Sequence, residues 1–286
     1  MFHMLIMGAA ILQAIDFAIS KKYQMLEGTA LSTGLKYNAI NGLISSLLAL
    51  ALCGFQIKFS WFSLLMALGI SGCGAIYSLI GFRVLKTGDV AVYSIFLMSG
   101  GMLLPYLFGL AFLDETVNVF RVLGIVLILA AVLLSNRSRK RVPVKHLLLC
   151  ICIFLLNGIV GILSKCHQIG LEYKPVDSTA FVVYSSGVRF VLSLIALAFV
   201  PGKKMPVFTR KPTPWLVIGA AVVCTVSYIF QLIGASHLPA TVLYPMVTGG
   251  SIVLSAFSGL IFFREKLSGY QWLSIGLSLA GTLCFL

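Results

Sequence analysis

The sequence predicts an all-α integral membrane protein in which ten transmembrane helices form two inverted five-helix repeats. Three observations carry this prediction: the scarcity of charge, the spacing of the apolar runs, and a weak internal repeat. Of the 286 residues, 59% are hydrophobic and 10% are charged, whereas soluble globular chains average about 25% charged residues. The 21 basic and 8 acidic side chains are too few to cover a soluble particle of this size, so the bilayer is the expected solvent.

Ten apolar runs follow one another along the chain, each close to the roughly 20 residues that cross the hydrocarbon layer. They cover 2–20, 38–57, 59–82, 88–112, 119–135, 145–165, 179–200, 214–235, 240–263 and 268–286. Polar markers stand at eight of the nine junctions between them, in order Lys21-Lys22, Lys58, Arg83 to Asp89, Asp114-Glu115, Asn136 to Lys145, Lys174 to Asp177, Pro201 to Pro214 and Arg264-Glu265-Lys266. Connections this short leave no room for a soluble domain.

The two halves of the chain repeat each other weakly over corresponding helices. Pairs that match at an offset of 150 are Phe112/Phe262, Glu115/Glu265, Leu123/Leu273, Ile125/Ile275 and Ala130/Ala280. At a slightly shorter offset, Ser20-Lys21 matches Ser164-Lys165, and Gln13 falls on Asn157. We therefore expect a first repeat over 1–135, a basic linker over 136–144 and a second repeat over 145–286.

An odd number of spans in each repeat makes the second repeat enter the membrane from the opposite side. The repeats are then related by a pseudo-two-fold axis in the membrane plane, which is the architecture of many secondary transporters. Two states open to opposite sides arise when the repeats exchange conformations. Gene duplication alone also leaves such a repeat, so a scaffold is the alternative interpretation.

One segment has a family likeness. Phe262-Phe263-Arg264-Glu265-Lys266, which runs into Trp272-Leu273-Ser274-Ile275-Gly276, resembles the last loop and helix of the EamA-type repeat. That repeat defines ten-helix members of the drug/metabolite transporter (DMT) superfamily. The copy in the first half is Phe112-Leu113-Asp114-Glu115-Thr116 into Arg121-Val122-Leu123-Gly124, and Arg189 in the seventh run is a further family-like feature.

The resemblance implies transport of a small organic metabolite or drug by alternating access, either secondary-active or gradient-driven, with export as the favoured direction. A flippase of a lipid-linked sugar is the alternative within transport. The substrate cavity is implied to lie between the halves, lined largely by the first, third and fourth helices of each. The halves differ chemically, since Asp114 stands where the second half has Arg264, and Pro239 where the first half has Asp89.

Two charged side chains inside predicted spans are the first candidates for the cavity, because a charge at mid-membrane costs about 3 kcal/mol on insertion scales. Apart from Asp89 at the very start of its run, Asp16 is the only acid inside a predicted span, and it is the candidate for proton coupling or cation binding. It also lies close enough to Lys21-Lys22 to reach the interface instead. Arg189 is a candidate for binding a solute carboxylate or phosphate, with a structural ion pair or a lipid headgroup as alternatives.

Neutral polar side chains complete the set of substrate-binding candidates. Gln13 and Asn157 occupy matched positions on the first helix of each repeat, where an amide bonds either a solute or a neighbouring helix. Tyr93 and Tyr244, near the starts of their helices, fit either the cavity or the aromatic belt at the membrane interface. The neutral candidates are Gln13, Tyr77, Tyr93, Asn157, Tyr228, Gln231 and Tyr244.

No catalytic residue, cofactor or metal is expected. The seven cysteines and four histidines show neither metal-ligand spacing nor a disulfide framework. An intramembrane lipid-modifying enzyme is the alternative of another class. It would need acid, base or metal-binding side chains that converge near one interface, and the acids of this chain are scattered over distant loops.

The expected partners are a small-molecule substrate, the lipid bilayer and, for coupled transport, protons, in a monomer or homodimer. Because Lys and Arg of a membrane chain hold cytoplasmic loops in place, the net charge of +13 predicts no nucleic-acid partner. The expected location is the cell membrane (plasma or inner), with many passes. Odd-numbered loops carry 16 Lys and Arg, and even-numbered loops carry 4, namely Lys58, Arg121, Lys165 and Lys174. This distribution places both termini outside, whereas the family resemblance implies termini inside. A reporter fused after Leu286 distinguishes these orientations.

Overall fold

The structure is a computed structural model that describes residues 2–28, 30–87, 90–116, 118–135, 144–170, 173–200, 208, 210–263 and 268–285, without the side chains of 82–95, 135, 255 and 262–263. These residues form ten α-helices and no strand. The helices are α1 (Phe2–Glu27), α2 (Leu31–Leu52), α3 (Trp61–Thr87), α4 (Val90–Phe112), α5 (Val119–Ser135), α6 (Val144–Ile169), α7 (Ser178–Phe199), α8 (Thr213–His237), α9 (Ala240–Phe263) and α10 (Gly269–Leu283). The predicted all-α class and ten helices are confirmed.

The first connection differs from the sequence prediction. α1 continues past Lys21-Lys22 to Glu27, and α2 already begins at Leu31, so the polar marker lies inside a helix. Hydropathy indicates where the chain leaves the hydrocarbon layer. A helix ends only where its backbone dihedral angles and hydrogen bonds stop being helical. Gly28, with φ of +90°, ends α1 by donating its N–H to the Gln24 carbonyl at 2.9 Å, because glycine adopts this conformation without strain.

Among the described residues, seven helices are long and apolar enough to cross a membrane: α1, α2, α3, α6, α7, α8 and α9. α5 and α10 are shorter, at 17 and 15 residues. Large apolar side chains such as Leu47, Leu65 and Ile195 are exposed. A soluble protein does not expose this much apolar surface, so these side chains are suited to contact lipid.

The helices of one half pack mainly on helices of the other half. α2 lies on α7, α4 on α9 and α5 on α10, while α1 contacts α8 and α9, and α6 contacts α3 and α4. Exchanging every helix with the helix five places later leaves this pattern unchanged. That is the contact pattern expected of two repeats related by a two-fold axis in the membrane plane.

Small residues set the close helix crossings at the centre. A methyl group at Gly42 of α2 would come within 3.0 Å of the Phe190 nitrogen and of the Ser186 oxygen on α7. Gly100 of α4 lies against the backbone of Phe154 on α6 in the same way. Because the hydrophobic effect does not drive helices together inside the lipid, membrane helices depend on such close backbone contact.

Candidate functional site

A cavity of about 360 Å³ lies between the two halves. Small-molecule sites measure about 300–1,000 Å³, so the volume suits a small solute. The lining runs from Gln13 and Val160, near the middle of α1 and α6, to Leu31, the first residue of α2. The cavity therefore extends toward the face of the molecule that carries the α1–α2 connection, which we call the α1–α2 face.

The helices that line the cavity differ from those that the family resemblance implied. Its described lining comes from α1, α2 and α3 of the first half and α6, α7 and α8 of the second, with no contribution from the described parts of α4 and α9. Packing explains the difference. Leu104 and Pro105 of α4 lie against Gly158 and Gly161 of α6, so this helix faces α6 and not the cavity.

Six of the nine candidate side chains line the cavity: Gln13, Asp16, Tyr77, Arg189, Tyr228 and Gln231. They come from α1, α3, α7 and α8, so both halves contribute. The Gln13 amide oxygen accepts from Ser251 Oγ at 3.0 Å, and the Gln231 amide donates to Ser227 Oγ at 3.3 Å. Both amides thus have protein partners and keep further hydrogen-bonding capacity.

Asp16 is held in place by α2. The Tyr37 hydroxyl lies against the Asp16 carboxylate and bonds the Ser20 hydroxyl at 2.7 Å. The second carboxylate oxygen, Oδ1, is buried without a hydrogen-bond partner. Since buried polar atoms are almost always hydrogen-bonded, an unpartnered oxygen beside a cavity indicates a place for a ligand group or a proton.

Arg189 supplies the opposite charge from the other half. Its guanidinium acts electrostatically on Asp16 and lies against the Cys224 thiol, while its Nε is buried without a partner. Within the described part of the chain, no salt bridge joins Asp16 to Arg189. The Tyr228 hydroxyl nearby is buried beside the side chains of Ser164 and Ser185 and makes no hydrogen bond of normal geometry. The cavity therefore holds one anionic and one cationic group that do not neutralise each other by contact.

Two candidates, Asn157 and Tyr244, are not among the residues that line the cavity. Asn157 Nδ2 donates to the Leu97 carbonyl of α4 at 2.8 Å, and the Tyr244 hydroxyl donates to the Gly161 carbonyl of α6. Asn157 joins α6 to α4 across the two halves, whereas Tyr244 joins α9 to α6 within the second half, and both side chains donate to backbone acceptors. Tyr93, the ninth candidate, is outside the described side chains.

Sequence reasoning missed a hydroxyl-rich wall. Ser185, Ser186 and Ser193 of α7 line the cavity with Arg189. Ser71 of α3 lines it beside them and donates to the Ser185 carbonyl at 2.9 Å. Ser185, Arg189 and Ser193 are four residues apart, which places them on one helix face. That spacing was a usable signal, because three polar residues on one face of an apolar helix indicate a polar surface.

At the opposite end from the α1–α2 face, two charges hold the turn between α8 and α9. The Glu115 carboxylate, from the α4–α5 connection, accepts the N–H groups of Ala240 and Thr241 at 2.7 and 2.8 Å. Lys165 of α6 is 5% exposed, and its Nζ donates to the Ala235 and Leu238 carbonyls at 2.8 and 2.7 Å. Lys165 is therefore a helix residue and not the loop residue that the positive-charge count assumed.

The described residues contain no group of three or more His, Cys, Asp or Glu side chains that could hold a metal ion. His167, one of the most buried polar residues, bonds Ser63 Oγ at 2.9 Å, and Ser63 Oγ also accepts the Val176 N–H at 3.1 Å. Ser63 belongs to the first half and the other two residues to the second. These contacts thus join the halves at the end that carries Glu115.

A ten-helix membrane fold with a two-fold contact pattern and a polar central cavity defines a membrane transporter built from inverted repeats. Residues 145–286 match the model of the EamA-like transporter family, and through this half the chain belongs to that family of the drug/metabolite transporter superfamily. A solved crystal structure is similar, with a TM-score of 0.77 and 16% sequence identity over 99% of this chain and 95% of the other. This likeness shows the fold alone. No curated protein matches the chain.

Proposed function

We propose that this protein moves a small polar organic solute across the cell membrane through the cavity between its halves, by alternating access. The observation that supports it is the pairing in one cavity of Asp16 from α1 and Arg189 from α7, each with a buried atom that has no partner. Burying an unpaired charge costs several kcal/mol, about 3 on insertion scales. A solute that bonds both groups offsets this cost for the time it is bound.

The same groups define what the solute carries. Arg189 presents a planar donor that suits a carboxylate or phosphate, and the carboxylate of Asp16 suits a cationic group or a proton. Ser185, Ser186 and Ser193 add hydroxyls for neutral polar groups. The proposed solute therefore has an anionic group and either a cationic group of its own or a proton that travels with it.

Alternating access follows from the two-fold packing. The structure has the cavity reaching the α1–α2 face, while contacts between the halves cross at the opposite end. Exchange of conformations between the repeats opens that end and closes the first. Export is the proposed direction, and the solute gradient or protons are the proposed energy source.

A binding screen followed by a transport assay tests this function. The purified protein is heated with amino acids, nucleosides, sugars or cationic drugs, since a ligand at 100 times its Kd stabilises by about 2.7 kcal/mol. The stabilising compound is then loaded in radiolabelled form into proteoliposomes for counterflow. We expect saturable counterflow in the wild type and at least about a tenfold loss of it in Arg189→Gln, because a charge-assisted hydrogen bond to the solute is removed.

Arg121→Gln is the matched control, since Arg121 lies outside the cavity and its guanidinium donates to the Thr116 carbonyl at 2.8 Å. It should leave counterflow unchanged. Equal counterflow in wild type and Arg189→Gln would remove Arg189 from the site. A wild type that binds and exchanges no compound of the screen would contradict the transport proposal.

A further inference from the structure

We infer that Glu115 is a positioning residue of the transport cycle: by capping α9 across the boundary between the halves, it latches shut the end of the cavity that carries the α8–α9 turn. This inference rests on the proposed function, because a latch is needed only if that end opens. The contact is expected in the state seen here and absent in the state open to the other side.

The local chain is built to present this carboxylate. The Leu113 and Glu115 N–H groups both return to the Gly109 carbonyl, at 3.2 and 3.3 Å, and Asp114 between them takes a φ of +50°. This reversal ends α4 and turns Glu115 back along it. A methyl group at Gly109 would come within 2.6 Å of Glu115 Oε2, so the glycine leaves room for the side chain.

The target of the carboxylate is the first turn of a helix in the other half. Ala240 and Thr241 are the first two residues of α9, and their N–H groups have no acceptor within the helix. Two short hydrogen bonds to an anion at the positive end of a helix are among the stronger polar contacts available to a protein. Both of them cross from the first half to the second.

Lys165 anchors the other side of the same turn within the second half. Because its Nζ donates to the last carbonyls of α8, the α8–α9 turn is fixed to α6. Glu115 is electrostatically coupled to Lys165, but it belongs to the first half. When the halves separate at this end, Lys165 travels with the turn, and the bonds from Glu115 to α9 have to break.

Asp177 provides a comparison, because it also caps a helix with its carboxylate but makes no bond across the boundary between the halves. Its carboxylate caps α7 by accepting the Thr179 and Ala180 N–H groups, each at 3.1 Å, and all three residues lie in the second half. Loss of this cap weakens the fold without favouring either state. Loss of the Glu115 cap weakens only the state in which this end is closed.

Thiol reactivity in detergent measures which end is open. Cys166, next to Lys165, is 7% exposed and is expected to gain access to water when this end opens. A second reporter, Ser193→Cys, lies in the cavity lining on the last turns of α7 and is expected to lose access when the α1–α2 face closes. A charged maleimide and peptide mass spectrometry give the labelling rate of each thiol separately.

In Glu115→Gln we expect the Cys166 rate to rise about tenfold and the Ser193→Cys rate to fall, since one to two charge-assisted bonds bias the equilibrium by this order. Gly109→Ala, which displaces the carboxylate without removing it, should act in the same direction. Asp177→Asn is the control, in which both rates stay or rise together. A rise of both rates in Glu115→Gln would show an ordinary helix cap and overturn the proposal.

The internal repeat supplies a second variant, which is expected to have the opposite effect. Glu265 matches Glu115 at an offset of 150 and lies outside the described residues. Glu265→Gln is expected to move the two rates in the reverse sense, and the double variant to return them toward wild type. Because labelling needs no solute, unchanged rates in Glu115→Gln overturn the latch even if transport is found, while shifted rates uphold it even if no transported solute is identified.

Discussion

Two pairs of opposite charges lie inside the described part of this protein, and their hydrogen bonding differs. At the α8–α9 turn, Lys165 and Glu115 each make two hydrogen bonds of 2.7 to 2.8 Å to backbone groups. In the central cavity, Asp16 and Arg189 each keep a buried atom without a partner. The first pair is satisfied by the protein, and the second is left to be satisfied by something else.

This difference in hydrogen bonding distinguishes charges that stabilise the fold from charges that are available to a solute. Burying a charge in the membrane costs free energy in either place. A helix end offsets that cost, because its unpaired backbone groups need a partner of the opposite sign. No such group meets the free atoms of Asp16 and Arg189. We therefore expect substitutions in the first pair to change stability or state, and those in the second to change what is carried.

The largest expected effect is on coupling. In Asp16→Asn, accumulation of solute driven by a pH gradient should be lost, because an amide carries no proton at this position. For one proton per solute, the wild type should accumulate about tenfold for each pH unit. Uptake into proteoliposomes with and without an imposed pH gradient measures this, with the stabilising compound of the binding screen as solute.

Counterflow, which needs no net proton movement, should survive in Asp16→Asn. Asp114→Asn is the control, since Asp114 is exposed and asparagine tolerates its φ of +50°. If the Asp16→Asn protein still accumulates solute tenfold per pH unit, Asp16 does not couple protons, and its free oxygen serves the solute alone.

The next effect is on stability. Lys165→Met removes both hydrogen bonds to the end of α8 while keeping a long apolar stem, and we expect a loss of about 2 kcal/mol in unfolding free energy because two buried carbonyls lose their donor. Thermal unfolding in detergent measures it, and Lys174→Met, at an exposed lysine, should cause no change. A Lys165→Met protein with normal stability but altered solute affinity would show that Lys165 acts on the solute, as Asp16 and Arg189 are proposed to do, and is not a structural charge.

The sequence alone was sufficient to locate the helices and to single out one of these charge pairs, Asp16 and Arg189. Apolar runs located ten helices because the hydrocarbon thickness imposes their length, and Asp16 and Arg189 stood out as charges within runs. The sequence predicts Lys165 as a loop residue because it stands at the end of its apolar run, where a lysine that reaches the membrane surface and a lysine that caps a buried helix end have the same pattern. The sequence also makes Asn157 a cavity candidate, whereas in the structure its amide faces α4, because hydrophobic spacing does not say which neighbour an amide faces.

The smallest effect compares two tyrosines: the hydroxyl of Tyr244 is bonded to a backbone carbonyl away from the cavity, and that of Tyr228 lies in the cavity lining. The Tyr244 hydroxyl donates to the Gly161 carbonyl, so Tyr244→Phe should lower the unfolding free energy by about 1 kcal/mol and leave the Kd of the solute unchanged. The Tyr228 hydroxyl makes no hydrogen bond of normal geometry to its neighbours Ser164 and Ser185, so Tyr228→Phe should leave stability unchanged or slightly raised. Because Tyr228 lines the cavity, it should weaken solute binding by about five- to tenfold. Thermal unfolding with and without the solute measures both quantities, and the reverse result would place the solute nearer α9 than α8.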